Sequence, residues 1–186
     1  MDHLEPISSD CKRTGETRQY LMSKIIPPAI EPVRADADLA AVMALFRAYA
    51  TALPIDLGYQ GFEAEMAGMP GKYAPQKGEL LLARAHDGTA VGCVGLRGLG
   101  DAGDCEMKRL YVAPEGRGLG LGKALALAVI EVARARGYRS ILLDTLASMT
   151  EAQALYRRLG FVDIPAYYDT PIADTIFMRK DLAQDS

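Results

Sequence analysis

Two cations, Arg117 and Lys123, bracket a run that holds Gly118, Gly120 and Gly122, with Gly116 just before it. An apolar, strand-like run from Cys105 to Val112 leads into this segment. A run of helical spacing, from about Leu119 to Arg136, leads out of it. Both cations therefore stand at a helix N-terminus, where the backbone dipole is already positive. That placement is unfavourable by about 0.3–1 kcal/mol per exposed charge, and it becomes sensible once an anion docks. Glycines let the backbone approach such an anion and point N–H groups at it. The chemistry indicated is phosphate binding; a plain turn that uses glycine for positive φ is the alternative. The Walker pattern G-x-x-x-x-G-K-[ST] fails, because Arg117 stands at its first glycine and Ala124 replaces the magnesium-binding hydroxyl. The dinucleotide pattern G-x-G-x-x-G also fails, since its last glycine would fall on Lys123 or Leu125.

Other chemistries find little support. The three cysteines, Cys11, Cys93 and Cys105, form no CxxC pair, and His3 and His86 cannot complete a zinc-like set. No metal site is expected, and Cys93 and Cys105 read as buried strand residues. The 186 residues suit one domain with its own core, and 49% apolar with 24% charged content excludes disordered, fibrous and membrane classes. The formal charge is 21 − 24 = −3, which argues against a nucleic-acid partner. No run approaches the 18 apolar residues of a membrane span. The first 28 residues lack an apolar core of signal-peptide length, so the expectation is a reducing, cytoplasmic protein.

The elements that must position the loop are legible in outline. Residues 1–27 read as a disordered tail, with Met22 a second candidate start, 28–182 as one domain, and 183–186 as a short C-terminal tail. Ile30 to Arg34 is extended. Leu39, Val42, Met43, Leu45, Phe46 and Tyr49 follow at helical spacing behind Asp36 and Asp38. A short helix fits Phe62 to Ala67. Leu80–Ala85 and Ala90–Leu96 flank Asp87-Gly88 as a hairpin. Cys105–Val112 is the next strand. The long helix after the loop is apolar on most sides and is expected to be largely buried, stopping at Gly137. Ser140–Leu146 is a strand, and Thr150–Leu159 a helix capped by Ser148 or Thr150 and ended by Gly160. Phe161–Ile164 and Thr175–Arg179 are the last strands. The order β, α, α, β, β, β, α, β, α, β, β predicts a mixed α/β sheet.

The pattern Arg117-x-x-Gly120-x-Gly122, preceded by Cys105-Glu106-Met107-Lys108-Arg109-Leu110-Tyr111-Val112-Ala113-Pro114, resembles the acyl-CoA motif of the GNAT superfamily of N-acetyltransferases. Ala152-x-x-Leu155-Tyr156-x-x-Leu159-Gly160-Phe161 resembles that family's second signature. The resemblance covers about residues 30–182. It implies a mixed sheet of about six to seven strands, splayed at the acyl-CoA site and flanked by about four helices. It also implies acetyl-CoA as co-substrate. The pyrophosphate would rest on the N–H groups of Arg117, Gly118, Leu119, Gly120, Leu121, Gly122 and Lys123. The pantetheine arm would lie along Leu110, Tyr111 and Val112, with Ala152 nearby.

The resemblance makes Tyr156 the candidate acid for the leaving thiolate, against a packed helix tyrosine. It makes Glu106 the candidate base for the amine, against an ion-pair partner of Lys108 or Arg109. Many family members carry Asn seven positions before the tyrosine, where this chain has Met149. The implied reaction is direct transfer to a primary amine on a small molecule. A catalytically weak acyl-CoA-binding module and a protein or peptide acetyltransferase are the alternatives. Candidate acceptor residues are Asp56, Tyr59, Phe62, Glu63, Glu65, Tyr167, Tyr168, Asp169 and Asp174, a set that suits a cationic amine. A homodimer is compatible with the sequence.

Overall fold

The computed structural model describes residues 28–100 and 103–182; the expected tails and Met22 lie outside the described residues. Seven strands form one sheet: β1 (Ala29–Pro32), β2 (Glu79–Arg84), β3 (Ala90–Leu99), β4 (Asp104–Val112), β5 (Ser140–Leu146), β6 (Val162–Ile164) and β7 (Thr175–Asp181). Their spatial order is β1-β2-β3-β4-β5-β7-β6. Four α-helices cover it: α1 (Asp36–Ala52), α2 (Phe62–Ala67), α3 (Leu121–Ala135) and α4 (Thr150–Arg158). This is the α/β architecture expected, within one or two residues at most element ends.

The sheet carries a separate core on each face. Val42, Phe46 and Phe62 of α1 and α2 pack with Leu80, Leu82 and Cys93 on one side. Leu125, Val129 and Ile130 of α3 and Tyr156 of α4 pack with Leu81, Leu96, Met107, Ile141 and Leu143 on the other. The odd and even positions of β2 thus serve different layers, as strand pleating requires. α3 departs from expectation. It buries one face only, through Leu121, Leu125, Ala126, Val129, Ile130 and Ala133, while Leu127 is 42% exposed. Alanines made it look apolar all round.

The pairing of β4 decides where a site can form. β4 is antiparallel to β3 and parallel to β5, and the parallel ladder holds only Asp104↔Ser140, Cys105↔Ile141 and Glu106↔Leu142. Beyond Glu106 the two strands part. A bulge causes this: Cys93 faces Tyr111 but Gly95 faces Lys108, so β4 carries one extra residue. Arg109, at φ 57°, absorbs it in the left-handed region. The strand edge from Met107 to Val112 is left without a partner on its β5 side.

Candidate active site

The unpaired edge of β4 runs straight into the glycine loop and α3. α3 starts at Leu121 behind Gly120, which sits at φ 71° as its N-cap and has no side chain to cap the helix. The first-turn N–H groups of Leu121, Gly122 and Lys123 have no carbonyl four residues back within the helix, and no acidic side chain lies in that turn. Gly118 and Gly120 are exposed and left-handed, and Leu119 is 41% exposed between them. Arg117 and Lys123 are exposed, and Arg117 Nε leans back toward the Val112 carbonyl at 3.4 Å.

Gly122 is the telling residue. A Cβ there would meet only Val112 and Leu155 side chains, at 3.9 and 4.0 Å, and its φ is ordinary. Neither packing nor backbone geometry requires glycine, which costs roughly 0.5–1 kcal/mol against alanine inside a helix. Close approach of a ligand to the backbone would account for it. Gly122→Ala is expected to raise the melting temperature of the free protein and to weaken acetyl-CoA binding at least fivefold. Differential scanning fluorimetry with and without acetyl-CoA reads both, and unchanged affinity would remove the argument.

Tyr156 reaches the cleft from α4. That helix ends with Gly160 at φ 86°, the Gly160 N–H bonding Arg157 O and the Phe161 N–H bonding Tyr156 O, each at 3.0 Å. This Schellman closure folds Phe161 back onto Tyr156, their ring centres 5.8 Å apart. The ring is thereby fixed where Tyr156 lines the cleft. Tyr156 is 7% exposed, and its phenol is pushed well above the ordinary value by burial, then by Tyr49 and Asp144. It keeps its proton at neutral pH. Ala152, one turn earlier on the same helix, is partly buried against the α3 layer.

The start of α4 differs from expectation. Neither Ser148 nor Thr150 caps it; Met149 is the N-cap residue and makes no side-chain cap. Gln153 ties the turn instead, its Nε2 donating to the carbonyls of Leu146 and Ala147 at 3.0 Å each. Thr145, on β5, lines the cleft with Leu110, Asp144, Met149 and Tyr156. Its hydroxyl is the one buried side-chain polar atom without a hydrogen-bond partner among the described residues. Such an orphan costs about 1–3 kcal/mol. It fits a polar group of a ligand lying in the cleft, close to where the family's Asn is replaced by Met149.

Glu106 is fully buried. Its Oε2 accepts from Arg97 Nε at 2.6 Å, its Oε1 accepts from the Tyr167 hydroxyl at 2.7 Å, and Lys108 Nζ stands 3.7 Å from Oε1. It does not line the cleft that Tyr156 lines; the carboxylate that does is Asp144. Asp144 holds Lys108 Nζ at 2.6 Å. Burial alone would raise the Asp144 carboxyl, but the charge and hydrogen bond of Lys108 outweigh it, and the net shift is downward. Asp144, Thr145, Arg97 and Gln60 were not candidates from sequence. Strand alternation assigns Lys108 and Arg109 to opposite faces, yet the bulge lets both join one network. Arg109 bonds Glu65 at 3.0 and 3.2 Å and Gln60 at 2.9 Å, while Gln60 also reaches Asp144 at 3.4 Å and Tyr168 at 3.3 Å.

Among the proposed acceptor residues, Tyr59, Glu65, Tyr168 and Asp169 line one hollow, and Phe62 lies under Arg109, 5.2 Å from its guanidinium. Tyr167 bonds Glu106. Asp56 instead caps its own turn through the Gly58 N–H, Glu63 and Asp174 are exposed, and none of the three joins the site. Arg136, at the C-terminal end of α3, pairs with buried Glu79 at 2.7 Å. Cys93 and Cys105 are buried strand residues, and burial pushes both thiols up, that of Cys105 to about 12. No group of metal-binding side chains is found among the described residues, and no helix among them is long and apolar enough to cross a membrane.

Comparison with known proteins identifies the family and the fold. A family model, "Acetyltransferase (GNAT) family", matches residues 42–161. An uncharacterized N-acetyltransferase of Schizosaccharomyces pombe is 39% identical over 156 residues, covering 84% of this chain and 96% of its own. A crystal structure of a putative acyl-CoA N-acyltransferase from Klebsiella pneumoniae superposes with TM-score 0.64 at 29% identity, over 83% of this chain and 97% of that one. A phosphinothricin acetyltransferase from Sinorhizobium meliloti, solved with AcCoA, shares the fold at TM-score 0.66 and 22% identity, covering 84% of this chain and 89% of that one. The chain belongs to the GNAT acetyltransferase family as an N-acetyltransferase.

Proposed function

We propose that the protein transfers an acetyl group from acetyl-CoA to a primary amine on a small molecule, directly and within one ternary complex. The observation that carries this reading is the buried, protonated Tyr156 facing the cleft where β4 and β5 part. When bound, acetyl-CoA supplies an activated acyl group attached to a good leaving thiol. The chain's residues do the rest. The N–H groups of Gly118 to Lys123 hold the pyrophosphate, with Arg117 and Lys123 adding charge. The open edge at Leu110, Tyr111 and Val112 offers backbone partners to an amide-bearing arm.

Transfer forms a carbon–nitrogen bond, breaks a carbon–sulfur bond, and needs one proton delivered to sulfur and one taken from nitrogen. Tyr156 Oη keeps the first proton available. Asp144, a carboxylate held by Lys108 on the same cleft, is suited to draw the second through water. In this reading Glu106 acts at one remove, fixing Arg97 and Tyr167. The acceptor hollow, about 240 Å³ between Tyr59, Gln60, Lys72 and Tyr168, favours a small acceptor.

The test is thiol release from acetyl-CoA over a panel of amines, amino acids and peptides, after a thermal-shift titration with acetyl-CoA. Stabilisation at hundreds of micromolar and release with at least one small amine are expected. Stabilisation without release from any amine would make the chain a binding module, and release with peptides alone would make it a peptide acetyltransferase.

A further inference from the structure

The acids and cations of the site are unevenly committed. Glu65 is held by Arg109 and by the Tyr73 hydroxyl at 2.9 Å. Glu106 is held by Arg97, and Asp144 by Lys108. Each of these acids is thus tied to a buried or half-buried cation. Two cations have donors to spare. Arg97 uses only Nε toward Glu106, so its two outer nitrogens, four N–H donors, have no partner among the described residues. Lys72 is exposed and has no ion-pair partner among the described residues.

Both residues line the acceptor hollow, and both also line a wider groove outside it. Among the described residues that groove carries Lys72, Lys77, Arg97 and Arg136 and no acidic residue, in a chain whose net charge is −3. The two cations are also held in place. Arg97 sits on β3 directly opposite Glu106 on β4. Lys72 belongs to the short turn Gly71–Tyr73, and Tyr73 is buried against Gly95 of the same strand. From there the hollow runs past Lys108 and Arg109, which it shares with the cleft of Tyr156.

Resting on the transferase reading, we infer that the acceptor is an amine that also bears a carboxylate, which docks on Arg97 and Lys72 while its amine points toward Asp144 and Tyr156. The planar outer edge of a guanidinium matches a carboxylate's two oxygens. A cationic groove leading to it raises the local concentration of anionic acceptors. Among the described residues lining the hollow, exposed Asp169 is the one acid without a cation partner.

Calorimetric titration of the full chain separates the possibilities, with succinate (two carboxylates, no amine) and 1,4-diaminobutane (two amines, no carboxylate) as probes. Succinate is expected to bind and the diamine not to. Lys72→Met should weaken succinate at least about tenfold, whereas Arg134→Met, the same charge change on the exposed face of α3, should not. Binding of the diamine in preference, or equal effects of the two variants, would overturn the inference. Thiol release distinguishes the two readings. If amines with and without a carboxylate react equally well, the transferase reading stands and the carboxylate site falls. If succinate behaves as expected and no amine releases thiol, the site stands and the transferase reading falls.

Discussion

Tyr156→Phe is expected to slow acetyl transfer about 100-fold at saturating substrate, within the 10²–10⁴ that a positioned proton donor typically contributes. The change removes one oxygen and little else. Phenylalanine keeps the ring contact with Phe161 and the helix closure at Gly160, so the fold and the cleft wall survive. Acetyl-CoA affinity should be nearly unchanged, because its proposed anchors are backbone N–H groups of another helix. The phenol is buried and its pKa raised, first by desolvation, so it stays protonated across the neutral range. The variant's loss should therefore be constant with pH across that range. Steady-state turnover and a thermal-shift titration read the two halves. Turnover within twofold of the parent would show that Tyr156 is not the acid.

Glu106→Ala is expected to give the largest loss of stability. It strips a fully buried carboxylate from Arg97, Tyr167 and Lys108 at once. Removing one partner of a buried pair strands the other charge, at about 3–5 kcal/mol. For a domain of this size that is roughly 10 °C or more in melting temperature. Glu106→Gln keeps the shape and part of the bonding, so it should fold and allow kinetics to be read. If Glu106 only fixes Arg97 and Tyr167, Glu106→Gln weakens the apparent affinity for the acceptor and leaves turnover at saturation within threefold. A loss of turnover as large as that of Tyr156→Phe, with acceptor affinity unchanged, would return the base role to Glu106 itself. Melting by calorimetry and a KM-against-kcat split on the glutamine variant decide between them.

The two halves of this site were unequally legible in the sequence. The phosphate half is local. Arg117, the alternating glycines and Lys123 lie within seven consecutive positions. Their meaning depends only on a strand ending and a helix beginning, both visible as periodicity. Tyr156 was legible through the resemblance of Ala152-x-x-Leu155-Tyr156-x-x-Leu159-Gly160-Phe161 to the family's second signature, a short-range pattern on one helix.

The acceptor half is assembled from distant chain segments. Arg97 meets Glu106 across an antiparallel pair, Lys108 meets Asp144 across 36 positions, and Gln60 joins Tyr168 across 108. One extra residue in β4 turns Lys108 and Arg109 toward a common network, and a single bulge leaves no signature in hydrophobic alternation. Acid counting pointed to a cationic acceptor. Composition does not show that Glu65 is paired with buried Arg109, nor that Asp56, Glu63 and Asp174 stand away from the site.

By itself, then, the sequence determined the order of elements, the glycine-rich loop with its helix and the helical tyrosine, since each rests on contacts a few residues apart. Only the tertiary structure decided that β4 and β5 part after Glu106, which carboxylate faces the cleft, and which cations are left to meet a substrate. Those depend on strand register and on competition for buried partners, and both are settled by packing across the whole sheet.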